Sequence, residues 1–112
     1  MYSMSIICSF TFEGFHNWPA APPKHGYLKQ RHRHLFHVTA LKDVTDGDRE
    51  IEFIQLKRDM VKYVATEFKS ELGPLSCELL AIILCKEFDL KSCTVLEDGE
   101  NGAIVESDSS TV

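Results

Sequence analysis

The sequence predicts an α+β fold with a four-stranded antiparallel sheet and two helices on one face. Two strand-like segments lie near the N terminus, two helical patterns follow, and two short β-branched segments end the chain. This order, ββααββ, is typical of a sheet that buries one face under helices. At 112 residues the chain has room for one core. We therefore predict a single domain over residues 1–106 and a disordered acidic tail over 107–112.

The first two strands are predicted to pair across a long connection. Residues 3–13 alternate between apolar and polar side chains, which is typical of a half-buried strand. Residues 17–31 contain three of the four prolines and Gly26, so neither a helix nor a central strand fits there, and we predict a long ordered loop. Residues 32–44 are rich in β-branched and aromatic residues and form the second predicted strand. The pair resembles a hairpin whose loop is long enough to be functional.

The helices and the last strands follow from periodicity and turn residues. Residues 55–70 carry apolar side chains at helical spacing, and Gly73-Pro74 ends that pattern. Ser76 is the predicted N-cap of a second helix through Phe88. Residues 92–97 and 103–106 are two short predicted strands, joined by a five-residue connection with two glycines over 98–102.

Composition excludes several classes of partner. The net charge is −5, and residues 97–112 hold five acids and no base, so the remainder is balanced and nucleic acid is not an expected partner. The bases Lys24, Lys29, Arg31 and Arg33 form a local cluster that could hold a small phosphorylated anion or simply be solvated. No 18-residue apolar run or signal peptide is present, so we expect no membrane segment. The four cysteines lack CxxC spacing, which predicts a reduced, cytoplasmic protein.

All five histidines lie between residues 16 and 37. Residues two apart in a strand share a face, so His32 and His34 would present their rings side by side while Arg33 points away. With His16 they would form a three-nitrogen zinc site that leaves a fourth position open. His37 has the opposite parity and is left out. The alternative is that this basic histidine-rich run is solvated and binds metal only adventitiously.

Five short motifs occur in order between about Phe10 and Glu106. They are FTFE at 10–13 followed by His16, HRHLFHV at 32–38, EFIQLK at 52–57, SCELLA at 76–81 and VLE at 95–97. In this order they resemble the 6-pyruvoyltetrahydropterin synthases and the related 6-carboxytetrahydropterin synthases of the queuosine and 7-deazaguanine pathway. The second motif is similar to the family's HGHxFxV, the third to DFxxLK with Glu52 in place of Asp, and the fourth to PTxExLA.

The resemblance implies a T-fold, in which ββααββ subunits join edge to edge into a homo-oligomeric barrel with active sites at subunit interfaces. It implies Zn²⁺ held by His16, His32 and His34, and a pteridine substrate whose guanidine-like edge is bound by Glu97. The implied reaction is a metal-assisted elimination on 7,8-dihydroneopterin triphosphate or a related pteridine, which is the chemistry of a carbon–oxygen lyase. Whether the product would be the pyruvoyl or the carboxy compound is left open.

The sequence departs from the family in two catalytic elements. The family's cysteine precedes the histidine pair, whereas residues 26–31 here contain none. The family's Asp-His pair lies between the two helices, but no histidine follows His37 in this chain. His25 and Tyr27, both in the loop, are weak candidates for a substituted proton shuttle, and an ordinary loop role is the alternative for each.

Two functional hypotheses therefore remain. The first is an active zinc-dependent lyase of the tetrahydropterin synthase type with a substituted shuttle. The second is a catalytically degenerate T-fold module that binds zinc and a pterin or purine ligand, or that serves as an assembly subunit. A metal-free fold with incidental histidines is a third account.

Overall fold

The protein, described here by a computed structural model, is defined over residues 2–108. Its α+β character is as predicted from the sequence. A five-stranded sheet with strand order β3-β1-β2-β4-β5 carries both long helices. In chain order the elements are β1 (Met4–His16), β2 (His32–Val44), α1 (Phe53–Phe68), β3 (Glu71–Gly73), α2 (Cys77–Phe88), β4 (Ser92–Glu97) and β5 (Asn101–Glu106).

The prediction of four antiparallel strands is wrong, because β3 adds a fifth strand that runs parallel to β1. The backbone N–H of Phe15 donates to the carbonyl of Ser70 at 2.8 Å, and that of Asn17 donates to Gly73 at 2.9 Å. A strand of three residues is too short to show a side-chain period, so no sequence pattern marks it. It forms because β1 continues to His16, three residues beyond its predicted end, and exposes an edge to the link between the helices.

The predicted pairing of the first two strands is confirmed. β1 and β2 pair antiparallel along their whole length, from Met4 opposite Val44 to His16 opposite His32. The connection between them is not an irregular loop throughout, since Pro23–Lys29 form a 3₁₀-helical segment. The register brings the last residue of β1 directly opposite the first residue of β2.

Side-chain caps set the starts of both helices. Glu52 accepts hydrogen bonds from the backbone N–H groups of Ile54 and Gln55, at 2.8 and 3.0 Å, so α1 begins two residues before its predicted start. The Ser76 hydroxyl accepts from the N–H of Leu79 at 3.1 Å, which confirms it as the N-cap of α2. The α2 start therefore lies where the sequence predicts it.

One core joins the helices to the sheet. Its fully buried large side chains are Phe36, Met60, Leu80, Leu84, Leu90, Val38, Val95 and Cys93. All four cysteines are buried free thiols, and burial raises the pKa of Cys93 to about 12. The cysteines are thus packed as small core residues. No helix within residues 2–108 is long and apolar enough to cross a membrane.

The C-terminal hairpin is tighter than predicted. β5 begins at Asn101, so three residues rather than five connect it to β4. Asp98 and Gly99 both have positive φ, and the N–H of Glu100 donates to the carbonyl of Glu97 at 3.0 Å, which closes a tight turn. The backbone N–H of Ser107, in the predicted tail, donates to the carbonyl of Lys91 at 2.9 Å. Residues 109–112 of that predicted tail lie outside the described residues.

Candidate metal centre

Three histidine side chains meet where β1 ends and β2 begins. His16 lies opposite His32 across the strand pair, and His34 lies two residues further along the same face of β2. The ring centroids of His16 and His32 are 4.5 Å apart, and those of His32 and His34 are 5.0 Å apart. One ring nitrogen from each histidine lies within 4.8 Å of those of the other two. The three predicted zinc ligands are therefore brought together by strand register alone.

Each ring is oriented by a hydrogen bond at Nδ1. The acceptors are the carbonyl of Leu75 for His16 at 2.9 Å, the carbonyl of Gln30 for His32 at 2.8 Å, and the Asp98 carboxylate for His34 at 2.7 Å. Carbonyl and carboxylate oxygens only accept, so Nδ1 carries the hydrogen in all three rings. The neutral ring then presents an unprotonated Nε2, the form that a metal ion requires.

His16 is the most enclosed of the three. Its residue is 8% exposed, and its ring stands edge-on to that of Phe36, with centroids 5.3 Å apart. Burial lowers the pKa of His16, and this effect outweighs the hydrogen bond to Leu75 and the nearby Glu97 carboxylate, which act in the opposite direction. The ring is thus held in the neutral form that binds metal.

A carboxylate faces the histidines. Glu97 ends β4, and its Cα partner on β2 is Phe36, which directs the side chain toward the same end of the sheet. Its Oε2 lies 3.2 Å from Nε2 of His16, and its Oε1 lies 3.4 Å from Nε2 of His34. The residue predicted to bind substrate therefore also contacts two of the predicted metal ligands.

Asp98 is a site residue that the sequence reasoning missed. Besides accepting from His34, its carboxylate accepts from the backbone N–H of Leu35 at 2.9 Å, and its own N–H donates to the Leu35 carbonyl at 2.7 Å. The Leu35 N–H, followed by the His34 ring, lowers the pKa of Asp98. The Asp-Gly turn was visible in the sequence, but its partner depends on the pairing of β4 with β2.

A cavity of about 390 Å³ opens beside the histidines. His16, His32 and Glu97 form part of its wall. The other lining residues are Asn17, Trp18, Leu28, Pro74, Leu75, Ser76, Cys77, Glu78, Asn101 and Gly102. The volume lies within the range of small-molecule sites, and the mainly apolar wall with a few polar groups is typical of them.

Cys77 brings a thiol to this cavity. Its Sγ lies 3.8 Å from Oε2 of Glu97, and burial, followed by the Glu97 charge, raises its pKa to about 12. The thiol is therefore protonated at neutral pH. Sequence spacing gave no reason to place it near the histidines, because it lies 43 residues beyond His34 and reaches them only through the packing of α2.

The two weak shuttle candidates lie at the side of the site. The ring of His25 stacks against Trp18 with centroids 6.1 Å apart, and Tyr27 is 72% exposed. Neither residue lines the cavity, so a role for either in proton transfer stays a prediction. His37 pairs opposite Thr11, with parity opposite to the three clustered histidines, as predicted.

Two of the four clustered bases, Arg31 and Arg33, are paired with carboxylates. The Arg31 guanidinium binds the Glu71 carboxylate and stacks over the ring of Phe15 at 3.8 Å. Arg33 points away from the histidines and binds Glu13. Because both guanidinium groups are paired with carboxylates, the structure adds no support to the expectation that the cluster binds a phosphorylated anion.

Comparisons with known proteins inform the fold only. No protein-family model matches the chain, and no curated protein matches it. Among solved structures, the chain is similar to the crystal structure of an uncharacterized protein from Wolinella succinogenes, with a TM-score of 0.67 and 13% sequence identity. The similarity covers 96% of this chain and 100% of that chain, so the two share a fold over nearly all of this chain.

Proposed function

We propose that this protein is a zinc-dependent enzyme of the 6-pyruvoyl- or 6-carboxytetrahydropterin synthase type. The observation that carries the proposal is the convergence of three imidazoles, each with Nδ1 hydrogen-bonded and with one ring nitrogen within 4.8 Å of those of the other two. Such second-shell bonds orient histidines at metal sites. Nitrogen ligands of this kind suit zinc, and His16, His32 and His34 would hold it.

The substrate class is a pteridine, with 7,8-dihydroneopterin triphosphate as the first compound to test. The cavity beside the histidines is of a size for a bicyclic ring, and Trp18 and Leu28 offer apolar surface to it. When bound, zinc supplies a Lewis acid that polarises the hydroxyl groups of the substrate side chain. Glu97 accepts hydrogen bonds from the guanidine-like edge of the ring, and its charge strengthens those bonds.

Proton transfer is the step for which the chain has no family residue. Cys77 lines the cavity beside Glu97 and is not one of the proposed metal ligands, and its thiol is held protonated, so it can donate rather than accept a proton. His25 and Tyr27 are the alternatives from the loop. A positioned proton-transfer group contributes typically ~10²–10⁴-fold to a rate, so a metal site without one retains slow chemistry.

The second candidate function is a catalytically degenerate module that binds zinc and a pterin or purine ligand, or that serves as an assembly subunit. What favours it is the link between the helices, Lys69 to Leu75, which forms β3 and a turn and contains no histidine. The family's Asp-His pair has no counterpart there. Tight pterin binding without release of triphosphate over hours supports this candidate, and measurable release contradicts it.

The same proposal includes self-association and a cytoplasmic location. β3 and β5 are the outer strands of the sheet, and an open strand edge is a template for pairing with another chain. The buried free thiols fit a reducing compartment. Sedimentation equilibrium of the purified protein tests the oligomer, and a monomer at micromolar concentration contradicts it.

The deciding experiment is metal content on tag-free protein. We expect about one zinc per chain, lost in the His32→Ala/His34→Ala double variant. His37→Ala is the matched control, because it removes a histidine from the same strand with the opposite parity, and it keeps the metal. Absence of zinc from the wild-type protein, or its retention in the double variant, contradicts the proposal.

A further inference from the structure

We propose that Glu97 is the fourth ligand of the resting metal centre, so that the site is closed until a substrate displaces this carboxylate. The inference rests on the proposed metal site and goes beyond it, because the resemblance assigns Glu97 only to the substrate. It is carried by the distances between the carboxylate oxygens and two ring nitrogens.

The orientation of the rings makes the close contact informative. With Nδ1 donating elsewhere, Nε2 of His16 and of His34 are both lone-pair acceptors, and a carboxylate also only accepts. Yet the Glu97 oxygens lie 3.2 and 3.4 Å from these two nitrogens. Two acceptors at that separation repel each other, and a cation between them would remove the repulsion.

A single metal ion satisfies this arrangement. The rings of His16 and His34 have centroids 5.3 Å apart, so their Nε2 atoms and the two Glu97 oxygens lie around one small space. One cation between them serves both rings and both oxygens. The Cys77 thiol approaches the same carboxylate only at a long 3.8 Å, so it does not take the place of the cation.

The distances also match a coordination sphere. Zinc bonds to nitrogen and oxygen of about 2.0–2.1 Å give a tetrahedron whose neighbouring ligand atoms are about 3.3 Å apart. The two Glu97 contacts, 3.2 and 3.4 Å, lie on either side of that value. The carboxylate, with one oxygen beside His16 and the other beside His34, therefore borders the position that a catalytic zinc site leaves for water or substrate.

The consequence is a carboxylate with two successive positions. Glu97 also lines the cavity, so a ligand that fills the cavity contacts it. In the proposed complex, the metal binds the side-chain end of the pterin and Glu97 binds the opposite, guanidine-like edge. Glu97 cannot reach that edge while its oxygens remain beside Nε2 of His16 and His34. Binding of substrate therefore requires Glu97 to leave the metal, which opens the fourth position only when the cavity is filled.

The test uses zinc affinity and the spectrum of the Co²⁺-substituted protein. In Glu97→Gln we expect zinc still to bind at about one per chain, but with lower affinity than in wild type. Replacing a residue that only hydrogen-bonds to a metal ligand typically lowers metal affinity by ~10–100-fold, so the loss of a direct ligand should lower it by at least that much. The visible Co²⁺ bands should shift as a ligand changes. Glu100→Gln, an exposed carboxylate three residues away, is the control and leaves both readouts unchanged.

Azide provides a second readout on the wild-type chain, which does not depend on how the variant folds. A closed site should give Co²⁺ bands that millimolar azide does not alter, whereas an open fourth position responds. Two results would overturn the fourth-ligand inference while leaving the metal site in place. The first is a wild-type protein that binds zinc but responds to azide as readily as Glu97→Gln. The second is a Glu97→Gln variant that keeps the zinc affinity and the Co²⁺ bands of wild type. If the wild-type protein binds no zinc, the proposed function fails first.

Discussion

The Asp98 carboxylate accepts a hydrogen bond from Nδ1 of His34 at 2.7 Å, and its other oxygen accepts one from the backbone N–H of Leu35 at 2.9 Å. A turn between β4 and β5 thereby fixes the tautomer and the direction of a ring on β2. Carboxylate–histidine pairs of this kind orient metal ligands and raise their basicity.

Asp98→Asn should weaken metal binding without removing it. The substitution keeps an acceptor oxygen but loses the charge, and asparagine tolerates the positive φ of 55 degrees at position 98. We expect a zinc affinity lower by about 10–100-fold. Chelator competition measures it, and Asp59→Asn, an exposed carboxylate on α1, is the control. Equal affinities in both variants would contradict the orienting role.

Gly102→Ala should destabilise the C-terminal hairpin. A Cβ at this position would lie 1.8 Å from the carbonyl oxygen of Val95, so the backbone of β4 or β5 must shift. Overpacking typically lowers the free energy of unfolding by about 1–3 kcal/mol. We expect a loss near the upper end of that range, because the added Cβ would clash with backbone atoms, which cannot move as a side chain can. Denaturant unfolding measures the change.

Gly26→Ala is the matched control for that experiment, because a Cβ there meets no heavy atom within 4 Å. Its free energy of unfolding should change by less than that of Gly102→Ala. A similar loss in both variants would show that the effect is general to glycine replacement and not due to the close approach of Val95.

Glu50 should contribute to the pH dependence of stability. Its carboxylate accepts from the backbone N–H groups of Asp46 and Thr45 and from the Thr45 hydroxyl, and these bonds lower its pKa. A lowered folded pKa adds stability above the unfolded value of about 4.3, and this stability is lost as pH falls through the folded pKa. Glu50→Gln should therefore be less stable than wild type at pH 7, with the gap narrowing toward pH 3.

Urea unfolding of metal-free protein at both pH values measures this gap. Glu67→Gln, an exposed carboxylate on α1, is the control. A gap for Glu50→Gln that is the same at pH 7 and pH 3 would mean that the turn does not depend on the charge of the Glu50 carboxylate.

Trp18 should report on ligand binding, because it is the single tryptophan and lines the cavity. A dihydropterin absorbs where tryptophan emits, so a pterin in the cavity should quench the emission with a saturable dependence on concentration. Leu28→Arg brings a charge into the cavity and should weaken the binding. Tyr27→Phe changes the exposed neighbouring residue and should not. Quenching that is linear in ligand and equal in all variants would show no site.

The sequence alone determined the elements that depend on local pattern. Alternation marked β1 and β2, helical spacing and Ser76 marked the two helices, and the two-residue period put His32 and His34 on one face. These features are decided within a few residues, where side-chain period and capping chemistry act. The gathering of His16 with that pair was expected from the sequence because one hairpin-like pairing suffices to produce it.

Only the tertiary structure decided which groups surround the histidines. β3 pairs because an edge of β1 is available, which no three-residue pattern records. Glu97 and Asp98 lie 63 and 64 residues beyond His34 and reach the site through the pairing of β4 with β2. Cys77 lies 43 residues beyond His34 and reaches the site through the packing of α2. Contacts at such separations depend on register and packing of the whole chain. The enclosure that keeps His16 neutral has the same origin.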